Sequence, residues 1–205
     1  MSNKKITVVG SGYVGMSLAV LFSQHAEVKV FDIDKSRVEK INNKEATIKD
    51  DLISQYLSKR DLNLSATLDE KDAFKNAEFI IIATPTNYDE TSKEFDTSSV
   101  EETISKVLKI NQKALIVIKS TIPIGFTSSM QKNFNYKDIV FSPEFLREGM
   151  ALEDNLNPSR IIFSSQSEKV NELISFTKKC VDKKDIKIIF MKNNEAESVK
   201  LFSNT

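Results

Sequence analysis

Gly10-Ser-Gly12-Tyr13-Val14-Gly15 gathers three of the five glycines of the chain into six consecutive residues. A β-branched run, Ile6-Thr-Val-Val9, stands directly before it, and a helix-like run opens at Val14. In that order each glycine has its own role. Gly10 permits the tight turn, Gly12 lets a pyrophosphate approach the backbone, and Gly15 lets helix and strand pack closely. The free N–H groups and positive dipole end of the helix then hold phosphates. A glycine triplet alone is weak evidence, since packing sites and plain turns also collect glycine. Here Asp32 ends a second β-branched run, Val28-Lys-Val-Phe31, twenty residues after Gly12, where a carboxylate can accept both hydroxyls of an adenosine ribose. The combination points to a dinucleotide. Asp32 and Asp34 repel a 2′-phosphate, so NAD is favoured over NADP. Lys35 and Arg37 just beyond either reach the adenosine ribose or its phosphate, or form the solvated face of a helix over 36–43.

Three further segments carry polar groups beside rigid backbone. The run Phe79–Ala83 ends in Thr84-Pro85-Thr86-Asn87. Leu115–Ile118 ends in Lys119-Ser-Thr121-Ile-Pro123-Ile-Gly125, and Ile139–Phe141 ends in Ser142-Pro143-Glu144-Phe145-Leu146-Arg147-Glu148-Gly149. Three of the four prolines lie in these loops. Singly, each is an ordinary turn with a Ser or Thr cap. Together, at one edge of a sheet, they make a preorganised polar site.

The elements that must position these groups alternate. Apolar strands are expected at 6–9, 28–31, 79–83, 115–118, 139–141, 161–163 and 186–190, with a weaker one at 62–67. Amphipathic helices are expected at 14–23, 36–43, 98–109 and 168–181, the third opening at Thr97. This is the pattern of an α/β fold: a doubly wound parallel sheet, Rossmann-type, with helices on both faces. In such a sheet ligands sit beyond the carboxyl ends of the strands, where the four loops fall. The last twelve residues begin like a helix capped by Asn194, with an apolar stripe at Ala196, Val199 and Phe202 still running where the chain stops. The expected organisation is a dinucleotide-binding domain over 1–193 and the start of a linking helix over 194–205, within a longer parent chain.

Composition narrows the class. Twenty-nine basic residues balance twenty-nine acidic ones over 205 residues, which argues against a nucleic-acid binder. No apolar run approaches the ~20 residues of a membrane helix, and no secretory leader pattern is evident. One cysteine, Cys180, rules out an internal disulfide framework, and one histidine, His25, a His-rich metal site. The expectation is a cytoplasmic protein without metal or membrane association. His25 reads as a surface residue at a helix end, and the thirteen phenylalanines as core. Arg160, after Pro158, either crosses to a partner subunit or packs locally.

Taken with Asn157-Pro-Ser-Arg160 and Glu195-Ala-Glu-Ser-Val-Lys200-Leu-Phe-Ser-Asn204, these motifs resemble, in order and along nearly the whole chain, the UDP-glucose/GDP-mannose dehydrogenases. The resemblance covers that family's N-terminal NAD domain and the first turns of the helix leading to its second half. It implies an NAD-dependent enzyme of nucleotide-sugar metabolism and polysaccharide biosynthesis. The reaction would be a four-electron oxidation of the C6 alcohol of UDP-glucose to UDP-glucuronate, with two NAD reduced in turn. A cysteine of the second half would hold a thiohemiacetal and then a thioester. Cofactor contacts would fall to Gly10, Gly12, Tyr13, Val14, Gly15, Asp32, Arg37, Thr86, Thr121 and Glu148. Glu144, Phe145, Leu146, Arg147 and Glu148 would line the sugar nucleotide. Glu144 or Glu148 would assist proton transfer or thioester hydrolysis, Thr121 would position the water, and Lys200 with Asn204 would hold the developing oxyanion.

Residue chemistry agrees with these roles. Lys200 and Asn204 are i and i+4 on one helix and project to the same side, and two such donors on one oxygen stabilise an alkoxide. Glu144 and Glu148 would share one side if their segment were helical, and mutual burial would raise one pKa. Otherwise they serve as caps or pair with Arg147. The family's cysteine motif has no match here. Cys180, near the end of a polar helix, reads as a structural or surface thiol, although nearby lysines favour its thiolate. The missing partners are thus the second half of the enzyme and, for the whole protein, a second copy in a homodimer; the chain alone is expected to bind NAD weakly without turnover. Oxidation of GDP-mannose or a UDP-N-acetylhexosamine, or a non-catalytic NAD-binding module, are the competing readings.

Overall fold

Six short strands, three of them wholly apolar, sit side by side in the computed structural model, which describes residues 4–90 and 94–203. The chain begins β1 (Lys5–Val9), α1 (Tyr13–Ser23), β2 (Glu27–Phe31), α2 (Lys35–Asn42), α3 (Asp51–Lys59), β3 (Leu64–Thr67), α4 (Glu70–Phe74) and β4 (Phe79–Ile82). A two-residue ribbon, β5 (Tyr88–Asp89) with β6 (Glu94–Phe95), precedes α5 (Ser98–Ile110), β7 (Leu115–Ile118), α6 (Phe126–Asn133) and β8 (Ile139–Phe141). Then come α7 (Ala151–Leu156), β9 (Arg160–Phe163), α8 (Glu168–Cys180), β10 (Lys187–Phe190) and α9 (Asn193–Ser203). The six strands form one parallel sheet in the order β3-β2-β1-β4-β7-β8.

Parallel sheets carry helices on both faces, which is why β4, β7 and β8 are buried along their whole length. Side chains alternate between two cores. Phe79, Ile81, Leu115, Val117 and Val140 enter the core under α1, α3, α7 and α8. Ile80, Ile82, Ile116, Ile118, Ile139 and Phe141 enter the one under α4, α5, α6 and α9. The chain leaves β1 toward β2 and β3, then returns to lay β4, β7 and β8 on the other side. The crevice opened by that reversal, beyond the ends of β1 and β4, is where such folds bind ligands.

Four expectations need correction. Strands β9 and β10 pair with each other in a separate two-stranded sheet; the Ser164 amide and hydroxyl tie it to β8 by donating to Phe141 O and accepting from Phe141 N. Helix α1 is buried from Gly15 through Ser23 rather than amphipathic, because helices pack over its outer side too. Helix α9 starts at Asn193, so Asn194 lies inside it and is not its cap; the Glu195 carboxylate accepts from Lys192 N instead. Residues 142–147 form no helix. Glu144 Oε2 accepts from Leu146 N and Asp154 from Arg147 N, so side chains take the amides a helix would use.

Candidate functional site

The sheet hydrogen bonds run past the strand ends and fix the crevice walls: Gly10 N donates to Phe31 O and Ala83 N to Val9 O, both at 2.9 Å. Gly10 has φ +90°, and a Cβ there would stand 2.7 Å from Ala83 O. A Cβ on Gly15 would come within 1.9 Å of Gly10 O, so this glycine lets α1 close on the loop. Gly12 has nothing within 4 Å of such a carbon. It faces open space at the start of α1. Helices α2, α3 and α4 are capped by Asp34, Asp50 and Asp69, whereas α1 has neither a side-chain cap nor an acid in its first turn. Its dipole end is left for an anion from outside.

The crevice encloses about 730 Å³ and is walled by Gly10, Gly12, Tyr13, Val14, Asp32, Arg37, Thr86, Thr121, Glu144 and Glu148, among others. Every expected cofactor residue is there except Gly15, which serves the packing behind the wall. Asp32 is buried. Its Oδ2 accepts from Ser11 N at 2.9 Å and Ser11 Oγ at 2.5 Å, and its Oδ1 from Asp34 N at 3.0 Å. Three of the roughly four lone-pair positions of a carboxylate are thereby taken. Accepting both ribose hydroxyls therefore requires the Ser11 hydroxyl to turn away. Arg37 lies 3.8 Å from Asp34, which offsets its charge, and Lys35 pairs with Glu39 on the solvated side.

On the crevice wall formed by Thr84, Ser120, Thr121, Glu144 and Glu148, three loops converge. Ser120 Oγ donates to Thr84 O at 2.6 Å, joining the loops after β7 and β4. Thr121 is half-buried on the wall, and Glu148 is exposed at the rim. Lys200, 4% exposed, donates to Glu144 Oε1 at 2.5 Å and to Glu144 O at 2.9 Å. Glu144 is thus partnered by an ammonium rather than by Glu148. Asn204 lies outside the described residues. Phe145 and Leu146 line a second cavity of about 220 Å³, on the other side of Glu144. Arg147 lines neither space: its guanidinium is forked onto Asp154, raising its own pKa and lowering that of the carboxyl.

Sequence reasoning passed over two residues here. Lys119 borders both cavities and donates to Ser142 Oγ at 3.0 Å. Burial holds its ammonium down to about 8 from an ordinary 10.5; Glu144 pulls it upward and Lys200 pushes it further down. The available signal was a lysine placed directly after a wholly apolar strand. Ile33, 85% exposed beside Asp32, offers an apolar surface to the crevice that no periodicity marks. Of the residues read as structural, Cys180 is buried and burial pushes its thiol up to about 12, outweighing Lys179. Arg160 packs locally, 4.7 Å over the Phe145 ring, and His25 is exposed. Among the described residues there is no cluster of metal-ligating side chains and no helix long and apolar enough to cross a membrane.

A doubly wound sheet with an uncapped glycine-loop helix and an acid after the second strand defines a dinucleotide-binding domain. Comparison with known proteins gives the family. Residues 4–195 match the model for the NAD-binding domain of the UDP-glucose/GDP-mannose dehydrogenase family, and the chain belongs to that family. UDP-glucose 6-dehydrogenase of Streptococcus pneumoniae is 49% identical over 207 residues, covering 98% of this chain and 52% of that one. UDP-glucose 6-dehydrogenase of Campylobacter jejuni is 47% identical, with the same coverage. Of solved structures, a UDP-glucose dehydrogenase from Pyrobaculum islandicum superposes with a TM-score of 0.85 at 29% identity, covering 98% of this chain and 49% of that one. A GDP-mannose dehydrogenase from Pseudomonas aeruginosa, 22% identical with a TM-score of 0.83 over 97% of this chain and 49% of its own, shares the fold. The chain spans about half the length of the relatives it matches.

Proposed function

We propose that the chain is the NAD-binding part of a UDP-glucose 6-dehydrogenase, which oxidises UDP-glucose to UDP-glucuronate with two NAD reduced in turn. The observation that carries this reading is the meeting of Thr121, Glu144 and Glu148 on the wall of the crevice that contains the phosphate loop. Those groups serve chemistry more than cofactor retention, which argues against a module that only binds NAD. The names of the relatives at 49% and 47% identity favour UDP-glucose among the family's substrates.

NAD, when bound, supplies the hydride acceptor. In this reading Asp32 holds its ribose, the α1 N-terminus its diphosphate, and Thr86, Thr121 and Glu148 its nicotinamide end. Glu144, Phe145, Leu146 and Glu148 form this chain's share of the sugar-nucleotide surface, while Arg147, held by Asp154, stands apart from it. Lys200 gives its ammonium to the C6 oxygen as negative charge develops, with Asn204 as second donor. Glu144, already hydrogen-bonded to Lys200, exchanges a proton with it or with a water held by Thr121. The cysteine nucleophile and most of the UDP site belong to the other half of the enzyme, acting as a cytoplasmic homodimer whose product enters polysaccharide biosynthesis. Cys180 has no part, being buried and protonated.

The test compares the full-length protein with the 205-residue chain. The full-length protein should yield two NADH per UDP-glucose consumed, while the chain binds NAD in calorimetry and yields none. Faster turnover of GDP-mannose or a UDP-N-acetylhexosamine would overturn the substrate, and NADH made by the chain alone would overturn the need for the second half.

A further inference from the structure

Glu197 is a fully buried carboxylate outside the chemistry described so far. Its Oε2 accepts from Gly125 N at 2.6 Å and its Oε1 from Thr127 N at 2.8 Å. These are the amide of the residue capping α6 and one in its first turn, which the helix itself cannot satisfy. A carboxylate is favoured there by two direct donors and the positive end of the helix. No local sequence rule signals this, because the cap comes from α9, seventy residues downstream of Thr127.

We propose that Glu197 is a positioning residue for the site, fixing the loop that carries Thr121 and, from the same helix, the aim of Lys200. The inference rests on the function proposed above. The Thr121 loop has two held ends. At one, Ser120 donates to Thr84 O; at the other, Gly125, with φ +93°, donates to Glu197. Between them Ile122 is anchored in the core and Pro123 stiffens the backbone. Lys200 lies three residues beyond Glu197, on the same flank of α9, and reaches the loop after β8 through Glu144. Helix α9 therefore joins the loops after β7 and β8 by two buried charged anchors. Slackening the first lets α9 shift against the Thr121 loop, and an error of about 1 Å in reacting groups can cost 100-fold in rate.

The experiment uses Glu197→Gln in the full-length enzyme, since the amide cannot accept at both positions. The expected result is a kcat lowered about 30-fold with KM for NAD changed less than about threefold. Val199→Ala, on the same helix but outside the site, is the control for simple loss of stability and should keep wild-type kcat below its melting temperature. Equal kcat losses in the two variants, or an unchanged kcat in Glu197→Gln, would overturn the proposal. Should Glu197→Gln fail to fold, Glu197→Asp keeps the charge on a shorter stem, and wild-type kcat there would overturn it equally. Amide hydrogen exchange in the 205-residue chain reads the anchor without turnover. Gly125 and Thr127 should exchange at least about tenfold faster in the Gln variant while β4 and β7 do not change. Unchanged exchange would sink the positioning role even if UDP-glucose proved the wrong substrate. An inactive wild type with the expected exchange change would count against the function alone.

Discussion

Gly12 and Gly15, within one helical turn of each other, do different work, and the difference is measurable. Gly12 has φ −75°, which any residue adopts, and open space where a Cβ would go. Gly12→Ala should therefore melt within a few degrees of wild type yet lose NAD affinity by about 100-fold, because the methyl occupies the diphosphate's approach. Gly15→Ala drives a carbon into Gly10 O at 1.9 Å, and backbone on both sides cannot retreat. It should cost about 3 kcal/mol of stability. Urea unfolding and calorimetry of the two variants separate these effects; wild-type stability in Gly15→Ala would show that the close approach is not needed. Both glycines were legible as a motif. Ser11 was not, because its importance lies in the Asp32 oxygens it occupies, twenty-one residues away.

At the scale of elements, periodicity placed α1, α2, α5 and α8 but passed over α3, α4, α6 and α7, and it said nothing of how helices connect to one another. Asp50 shows why. Its Oδ1 caps α3 by accepting from Leu52 N and Ile53 N, each at 3.1 Å, while its Oδ2 accepts from Leu152 N of α7 at 3.3 Å. One buried carboxylate thus serves two helix starts that are 102 residues apart. Asp50→Ala leaves buried amides unpaired and should cost about 2–3 kcal/mol, against about 1 kcal/mol for Asp34→Ala at the exposed cap of α2. Equal urea midpoints for the two variants would contradict the double cap. The amphipathic reading of α1 failed for a related reason. Whether a helix has a wet side depends on what later segments lay over it, and α7 and α8 come more than a hundred residues afterwards.

For the molecule as a whole, the reversal of strand order sets a crevice that carries Asp32 and Asp34, with Arg37 leaning on Asp34. NAD at about 100 times its Kd should add about 2.7 kcal/mol to the stability of the 205-residue chain, a rise of roughly 5–10 °C in Tm. The same concentration of NADP should give less than about a third of that shift, because its 2′-phosphate meets two carboxylates. A larger shift with NADP would reverse the cofactor preference.

Local sequence determined the strands, the glycine loop and the polar strand-end segments, since each depends on side chains and backbone preferences within a few residues. It pointed to the parallel sheet as well, because wholly apolar runs alternating with helices are covered on both faces in such a sheet. Only the tertiary structure decided the partners of the charged groups. Glu144 faces Lys200 and not Glu148, Arg147 turns to Asp154, Lys119 is held down to about 8 by burial, and Glu197 caps a helix from another element. Such pairings reflect through-space distance and desolvation, which link residues by where the folded chain brings them and not by their order along it.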